Sequence, residues 1–163
     1  TKRLIALSEE LLVLERDEQR PREKKMQSMQ ERVALVLRRL HPYTHEKHIR
    51  VVTHIAPEGL RIDARDLETI LYNLVHNACK FSPSGGEIRV LWKDSVLTIA
   101  DDGVGIPASA LAHIFDRFYT GNTANAGTGL GLSLVQESVR RYGGTIEVKS
   151  NEGTGTQFTV TFP

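Results

Sequence analysis

The chain has 163 residues, enough for one ordinary domain with a hydrophobic core and a short appendage. Its 21 Lys and Arg balance 20 Asp and Glu, so no large net charge favours binding to nucleic acid or an anionic membrane. The single cysteine, Cys79, excludes an internal disulfide and indicates a reducing compartment. No apolar run approaches the roughly 20 residues that span a bilayer. Because the chain lacks an initiator Met and opens inside a helical pattern, we expect it to be part of a longer protein.

The first predicted element is a helix over residues 1–20. Its leucines recur at spacings of three and four and share one apolar stripe: Leu4, Leu7, Leu11 and Leu14. Pro21, flanked by two arginines, ends the helix. The stripe is typical of a helix that packs in a bundle, and the alternative is an amphipathic helix folded onto the rest of the chain. We expect a dimerisation helix over 1–20, a linker over 21–25 and a separate domain over 26–163.

Helices and strands alternate in the remainder of the chain. Apolar periodicity predicts three helices. The first covers residues 24–40, the second begins after Asp63 as its N-cap and ends before the loop at Pro83, and the third covers residues 131–142. Alternating patterns predict five strands, over residues 49–55, 88–92, 96–100, 145–149 and 156–162, and residues 93–95 are predicted to join the second and third strands in a tight hairpin. This mixture, with an antiparallel hairpin at its end, indicates an α+β fold, a two-layer α/β sandwich in which a mixed sheet packs against helices.

Three polar side chains share one face of the helix that Asp63 begins. Asn73, Asn77 and Lys80 lie at i, i+4 and i+7, away from the apolar stripe. A solvated face is the ordinary explanation, yet two asparagines inside a helix cost stability without a packing gain. An amide oxygen can bind Mg²⁺, which takes its other ligands from water and phosphates, and a lysine supplies positive charge for those phosphates. The face is therefore a candidate site for a phosphate compound with magnesium.

Two glycine-containing segments follow. Asp101-Asp102-Gly103-Val104-Gly105-Ile106 comes directly after a predicted strand, where glycines permit close approach of the backbone to a flat ligand and a carboxylate can accept a hydrogen bond from an exocyclic amine. A tight turn with two solvated acids is the alternative, and this motif alone favours it. Gly127-Thr128-Gly129-Leu130-Gly131-Leu132 precedes a helix, whose free N–H groups bind phosphate; a flexible loop is the alternative.

Four segments in a fixed order carry a resemblance to a known family: residues 73–81, 101–106, 114–119 and 127–132. Together they resemble the ATP-binding catalytic domain of sensor histidine kinases of two-component systems, within the GHKL superfamily. The resemblance covers residues from about 24 to 163, and residues 1–20 resemble the end of the second dimerisation helix. It implies a GHKL-type fold, a catalytic domain over 26–163, and binding of ATP or ADP with Mg²⁺. It also implies a homodimer formed through the protein's own dimerisation domain, a response regulator receiver domain as partner, no nucleic acid, and a cytoplasmic location.

The resemblance also implies roles for individual residues. Asn77 is expected to bind magnesium, Asn73 to orient the phosphate end of the nucleotide, and Lys80 to contact the phosphates. Asp101 is expected to recognise the adenine amino group. Arg117 is a candidate for contact with the γ-phosphate, where a cation offsets the charge that develops during transfer.

The remaining expectations concern the loops. Residues 120–126 are expected to form a mobile lid over the nucleotide. Phe115 and Phe118 either anchor that lid or belong to the core. Further nucleotide contacts are expected from these residues: Gly103, Gly105, Ile106, Phe118, Gly127, Thr128, Gly129, Leu130, Gly131 and Leu132.

Asn73 bears on the kind of reaction. Gyrase-type topoisomerases, mismatch-repair ATPases, heat-shock chaperones and serine-directed anti-sigma kinases share the fold, and they usually have a glutamate base four residues before the magnesium-binding asparagine. An amide at this position cannot take a proton from water or from a serine hydroxyl. Asn73 therefore argues against hydrolysis and serine phosphorylation, and it matches a histidine kinase, whose acceptor imidazole is already nucleophilic near neutral pH.

The phosphate acceptor is expected to lie outside this chain. None of its six histidines is predicted on a bundle helix in an acceptor setting: His41, His45, His48, His54, His76 and His113. His45 is followed by Glu46 but lies just past Pro42 in a predicted connector. We expect a catalytic core that transfers the ATP γ-phosphate to an external histidine for onward transfer to a response regulator. The alternatives are a GHKL-type ATPase that acts as a conformational switch, and a catalytically inactive nucleotide-binding scaffold.

Overall fold

A computed structural model describes residues 1–121 and 127–163 as six helices and seven strands. The helices are α1 (Lys2–Glu18), α2 (Met29–Arg39), α3 (His41–Glu46), α4 (Ala64–Phe81), α5 (Ala108–Leu111) and α6 (Gly131–Arg141). The strands are β1 (Lys25–Gln27), β2 (Arg50–Ile55), β3 (Leu60–Ile62), β4 (Glu87–Lys93), β5 (Val96–Asp101), β6 (Thr145–Asn151) and β7 (Gly155–Thr161). Within these residues, no helix is both long enough and apolar enough to cross a membrane.

The main sheet has five strands in the order β2-β4-β5-β7-β6. β2 runs parallel to β4, and the other neighbouring pairs are antiparallel. β1 and β3 form a separate antiparallel pair. The predicted α+β fold, a mixed sheet packed against helices, is confirmed.

The core lies between one face of this sheet and helices α2, α4 and α6. Alternation along β4 buries Ile88, Val90 and Trp92, while α4 and α6 bury Leu74 and Val135 against them. None of the residues described in α1 belongs to this core. Five of its large apolar side chains are exposed, Leu4, Ile5, Leu11, Leu12 and Val13, whereas Leu7 and Leu14 are half-buried. α1 therefore presents an apolar surface that the rest of the chain leaves largely uncovered.

Two predicted local structures are confirmed. Asp63 is the N-cap of α4, and its carboxylate accepts a hydrogen bond from the Arg65 N–H at 2.8 Å. The hairpin between β4 and β5 has a two-residue turn, Asp94 and Ser95, with φ values of 52° and 62°. Two left-handed residues are the conformation of a type I′ turn, whose twist matches that of the flanking strands.

The predicted helix over 24–40 is wrong at its start. Residues 25–27 are strand β1, which pairs with β3, and α2 begins only after Ser28, whose Oγ accepts the Glu31 N–H at 3.3 Å. The serine cap stops the helix from extending toward residue 24, and a strand from elsewhere in the chain supplies the backbone partners.

The predicted connector after Pro42 is also wrong, because His41–Glu46 form the short helix α3. Pro42 stands in its first turn, where the missing N–H costs nothing. His45 therefore lies on a helix, although one of only six residues. The short elements β3 and α5 were not predicted.

A buried carboxylate joins the start of α4 to the end of α6. Asp66 is 3% exposed, and it accepts a hydrogen bond from Arg141 Nη1 at 2.6 Å and another from the Tyr142 hydroxyl. Arg22, from the segment that follows α1, places Nε 3.2 Å from the same carboxylate. The predicted linker is thus held at this point against both helices.

Candidate functional site

The predicted polar face of α4 lies against the N-terminus of α6. Asn73 is half-buried and donates from Nδ2 to the Thr69 carbonyl at 2.8 Å, which fixes its amide. The Asn73 Oδ1 faces Gly131, so that a Cβ built on Gly131 would lie only 2.8 Å from this oxygen. A glycine at this position therefore lets α6 begin next to the Asn73 amide.

Asn77 and Lys80 continue the same face toward the end of α4. Both side chains are half-buried, and among the residues that the structure describes none hydrogen-bonds the Asn77 amide. Burial lowers the pKa of Lys80. Its Nζ lies 3.5 Å from the position that a Cβ on Gly127 would take, so Lys80 reaches the first glycine of the 127–132 segment. The structure thus brings Asn73 and Lys80 against two ends of one glycine loop.

The N-terminus of α6 is suited to binding an anion. Leu130 occupies the N-cap position and is buried, so no side-chain acceptor there satisfies the first N–H groups of the helix. Gly129 has a φ of +80°, and its carbonyl accepts the Phe118 N–H at 2.9 Å. The first N–H groups of α6, together with the Lys80 ammonium near Gly127, give this end of the site a positive potential.

Asp101 forms the other end of the site. It ends β5, is 6% exposed, and accepts the Gly103 N–H at 2.8 Å. Burial raises its pKa, and the hydrogen bonds from Gly103 and Thr156 only partly oppose that effect. A Cβ on Gly103 would lie 2.6 Å from the Asp101 Oδ1, so a side chain there would collide with the carboxylate. The loop therefore keeps a buried acceptor beside bare backbone.

Contacts on both sides hold the 101–106 loop. The Val104 N–H donates to the Phe81 carbonyl at the end of α4 at 3.3 Å, and the Gly153 N–H donates to the Val104 carbonyl at 2.7 Å. Gly105 has a φ of +73° and lies directly against the Asn151 backbone, which leaves no room for a Cβ. The Ile106 N–H donates to Ser150 Oγ at 2.7 Å. The loop is therefore fixed by α4 and by the β6–β7 hairpin.

Arg117 does not point into this arrangement. Its guanidinium lies 3.6 Å from the Glu137 carboxylate on α6, and both side chains are largely exposed. An exposed pair of this kind is weak, so the arginine is only lightly held there. Its contact with a γ-phosphate stays a prediction.

The two phenylalanines have different surroundings. Phe115 packs edge-on against Phe158 of the sheet, with ring centroids 6.4 Å apart. Phe118 has a φ of +66° and is 47% exposed, and it lines a groove with α1 residues including Leu7 and Leu11. Phe115 is thus attached to the core, and Phe118 is not. Of the predicted lid over 120–126, residues 122–126 lie outside the described part of the chain.

Sequence reasoning missed three contributors to the site. Thr69 lies one turn before Asn73 on the same helix, and this i, i+4 spacing could have predicted that it holds the Asn73 amide. Asn151, which packs against Gly105, comes from a distant hairpin. Glu10 of α1 accepts a hydrogen bond from Thr128 Oγ1 at 2.6 Å. No sequence signal connects these last two residues to the site, because only the folded chain brings them there.

Comparison with known proteins agrees with this geometry. Residues 62–163 match the family of histidine kinase-, DNA gyrase B-, and HSP90-like ATPases. The sensor histidine kinase WalK of Bacillus subtilis is 36% identical over 132 residues, which are 74% of this chain and 22% of that protein. The sensor histidine kinase TmoS of Ectopseudomonas mendocina is 39% identical over 128 residues, 72% of this chain and 13% of that protein. The chain thus spans less than a quarter of either relative.

Two solved structures have the same fold. A mycobacterial sensor histidine kinase, MprB, superposes with a TM-score of 0.74 at 27% identity, covering 86% of this chain and 97% of that one. Full-length ShkA in complex with AMPPNP superposes with a TM-score of 0.79 at 27% identity, covering 98% of this chain and 35% of that one. The chain belongs to the family of histidine kinase-, DNA gyrase B-, and HSP90-like ATPases, and within it is an ATP-binding catalytic domain of the histidine kinase type.

Proposed function

We propose that this domain binds ATP with Mg²⁺ and transfers the γ-phosphate to a histidine that lies outside the chain, for onward transfer to a response regulator. The observation that carries the proposal is the position of Asn73. Its amide faces the first residue of α6, where a phosphate would bind, and it offers no proton acceptor comparable to a carboxylate.

The adenine end of the nucleotide would bind at Asp101. This carboxylate is buried at the end of β5, with the bare backbone of Gly103 beside it. The N–H groups of Gly103 and Thr156 already bind this carboxylate, but its two oxygens can accept a further hydrogen bond, so the site would favour a base with an exocyclic amino group over one that lacks it.

The phosphates would bind between Lys80 and the start of α6. The Lys80 ammonium lies beside Gly127, and the N–H groups after Leu130 point out of the helix end. Arg117 would leave Glu137 to reach the γ-phosphate. Thr128 would exchange its bond to Glu10 for one to a phosphate oxygen.

The donor set also fits magnesium. The described residues include no group of three or more His, Cys, Asp or Glu side chains able to hold a metal. Mg²⁺ does not need one, because it keeps several waters and takes further ligands from phosphates. Asn77 would supply the protein ligand. When bound, the ion would neutralise part of the charge on the phosphates.

Transfer would then need no base from this chain. A neutral imidazole nitrogen of the acceptor attacks the γ-phosphorus, the bond to the β-phosphate oxygen breaks, and ADP leaves with that electron pair. Asn73 would orient the phosphates without activating water, so hydrolysis would stay slow.

We also propose that α1 is part of a dimerisation domain, with the linker over 21–25 and the catalytic domain over 26–163. The exposed apolar residues of α1 would pack against the dimerisation helices of both protomers. A receiver domain would be the second partner. The free, buried thiol of Cys79 is consistent with a cytoplasmic location.

A transfer experiment tests the proposal. The chain is incubated with γ-labelled ATP and Mg²⁺, first alone and then with the separately made dimerisation helices of the full-length protein. We expect label on the added helices only, stable in base and labile in acid, at a low rate because the domains are not joined. The Asn77→Ala variant serves as control and should transfer little label.

The other outcomes identify the alternatives. Label on the chain alone would mean that one of its own histidines is an acceptor, with His45 the first to replace. Rapid release of free phosphate would favour a conformational switch driven by hydrolysis. ATP binding without labelling of the helices would favour an inactive scaffold.

A further inference from the structure

The C-terminal carbonyls of α4 are bound by a side chain from another element. A helix leaves its last four C=O groups without partners inside the helix. Lys47, at the end of α3, places its Nζ 3.0 Å from the carbonyl oxygens of Cys79, Lys80 and Ser82. One ammonium thus donates to three carbonyls, at the helix end where a positive charge is most favourable.

Lys47 does not bind the Phe81 carbonyl, which instead contacts the 101–106 loop. This carbonyl accepts the Val104 N–H at 3.3 Å, and Gly103 packs directly against it. The last turn of α4 therefore has two partners, Lys47 on one side and the 101–106 loop on the other. A shift of this turn would therefore affect both Lys80 and the 101–106 loop.

The backbone around Lys47 keeps its side chain in place. The Lys47 carbonyl accepts the Gly85 N–H at 2.8 Å, which ties α3 to the loop after α4. His48 has a φ of +53°, and the Ile49 N–H turns back to the Thr44 carbonyl at 2.8 Å. This tight end of α3 sends the chain into β2 and leaves the Lys47 stem directed at α4.

We propose that Lys47 is a positioning residue of the nucleotide site, although its ammonium binds backbone carbonyls at the end of α4 and not the groups that would contact the nucleotide. By fixing the last turn of α4, Lys47 sets the position of the Lys80 ammonium relative to Gly127. It also sets the position of the Phe81 carbonyl, against which the 101–106 loop packs. The inference rests on the proposed function, because the groups positioned are those that would hold ATP.

The test compares three variants. Lys47→Met keeps the length of the stem and removes every donor, Lys47→Arg keeps the charge and several donors, and Lys93→Met removes an exposed lysine of β4 as the matched control. Affinity for ADP with Mg²⁺ is measured by calorimetry at a temperature where circular dichroism shows each variant folded. We expect Lys47→Met to bind about tenfold more weakly or worse, Lys47→Arg to stay within about threefold of the parent, and Lys93→Met to be unchanged.

A purely structural role predicts a different pattern. Lys47→Met would then unfold at a lower temperature and still bind ADP with the parent's affinity while folded, and that result would overturn the inference. Equal losses in Lys47→Met and Lys93→Met would also overturn it, since a general effect of positive charge would then explain both.

A second measurement does not depend on nucleotide. Amide exchange of Val104 in the free protein should be faster in Lys47→Met than in the parent, because the Phe81 carbonyl would no longer be fixed. If the parent binds no nucleotide, the proposed function fails, and this exchange alone decides whether Lys47 positions the loop. Unchanged exchange of Val104 would refute that role.

Discussion

Asp101 and Asp102 are consecutive in the chain, yet only the first is buried. Asp101 faces inward and receives the Gly103 N–H, whereas Asp102 lies at the surface 3.3 Å from the Arg89 guanidinium. The alternation of side chains at the end of β5 separates them. The two residues thus provide a test residue and its control.

Asp101→Asn is expected to weaken adenosine binding about tenfold, because an amide must orient one acceptor and one donor where the carboxylate offers only acceptors. Calorimetric titration with adenosine measures the effect. Asp102→Asn should bind adenosine as the parent does. Equal affinities for all three proteins would remove Asp101 from the adenine site.

Adenosine affinity should also depend on pH. Burial raises the pKa of Asp101 above that of an ordinary aspartate. The ionised carboxylate is a better acceptor than the protonated form, so protonation of Asp101 should weaken adenosine binding. Affinity should therefore fall as the solution is acidified, and the fall should begin at a higher pH than the value near 4 at which an ordinary aspartate is protonated. Asp101→Asn should lack this dependence. A parallel decline in the variant would assign the titration to another group.

Asn77→Ala should weaken ADP binding about tenfold when Mg²⁺ is present and little when it is chelated, because the lost amide would act only through the ion. Adenosine carries no phosphate and serves as the control ligand. A variant that loses adenosine as severely as ADP would show that Asn77 supports the fold of the site and does not bind magnesium.

Gly129→Ala should impair phosphate binding by an order of magnitude or more. Gly129 has a φ of +80°, and its added Cβ would lie 2.5 Å from the Phe118 backbone, so the loop would have to move away from Phe118 and leave its present position before α6. Gly85→Ala is the matched control, with a φ of +78° and open space around the new methyl group. We expect ADP affinity to fall in the first variant only, and adenosine affinity to change in neither. An equal loss in Gly85→Ala would attribute the effect to backbone strain in general.

Asp66→Asn should destabilise the domain by about 3 kcal/mol, because two arginines and Tyr142 would lose a buried charged partner. Glu68→Gln, two residues along the same helix, breaks only an exposed pair with Arg39 and should cost less than about 1 kcal/mol. Urea unfolding of both variants measures the difference. Similar midpoints would mean that burial of Asp66 adds little to stability.

Sequence patterns were reliable where the determinants are local. Asp63 and the apolar stripe after it define α4, and the hairpin over Asp94 and Ser95 follows from the patterns of its two strands. Predictions failed where distant backbone decides the outcome. Residues 25–27 continue a helical pattern, but pairing with β3 makes them a strand.

In the candidate site too, local features were predictable and contacts between distant parts of the chain were not. Asn73, Asn77 and Lys80 could be placed on one face by helical spacing alone, whereas the approach of Gly131 to Asn73 depends on how α4 and α6 pack. Lys47 could not be predicted at all, because its partners are main-chain carbonyls, which leave no mark on a sequence.

The carboxylate of Asp66 fastens the start of α4 to the end of α6, at the ends of both helices that lie away from the proposed phosphate-binding groups. Between Asp66 and Lys80 lies about 21 Å of continuous helix, at ~1.5 Å per residue. The segment after α1 is bound at the fastened end through Arg22, while Lys80 and Gly131 stand at the opposite ends of the same two helices. A displacement of Arg22 would therefore act on α4 at its Asp66 end, while Lys47 holds the end that carries Lys80.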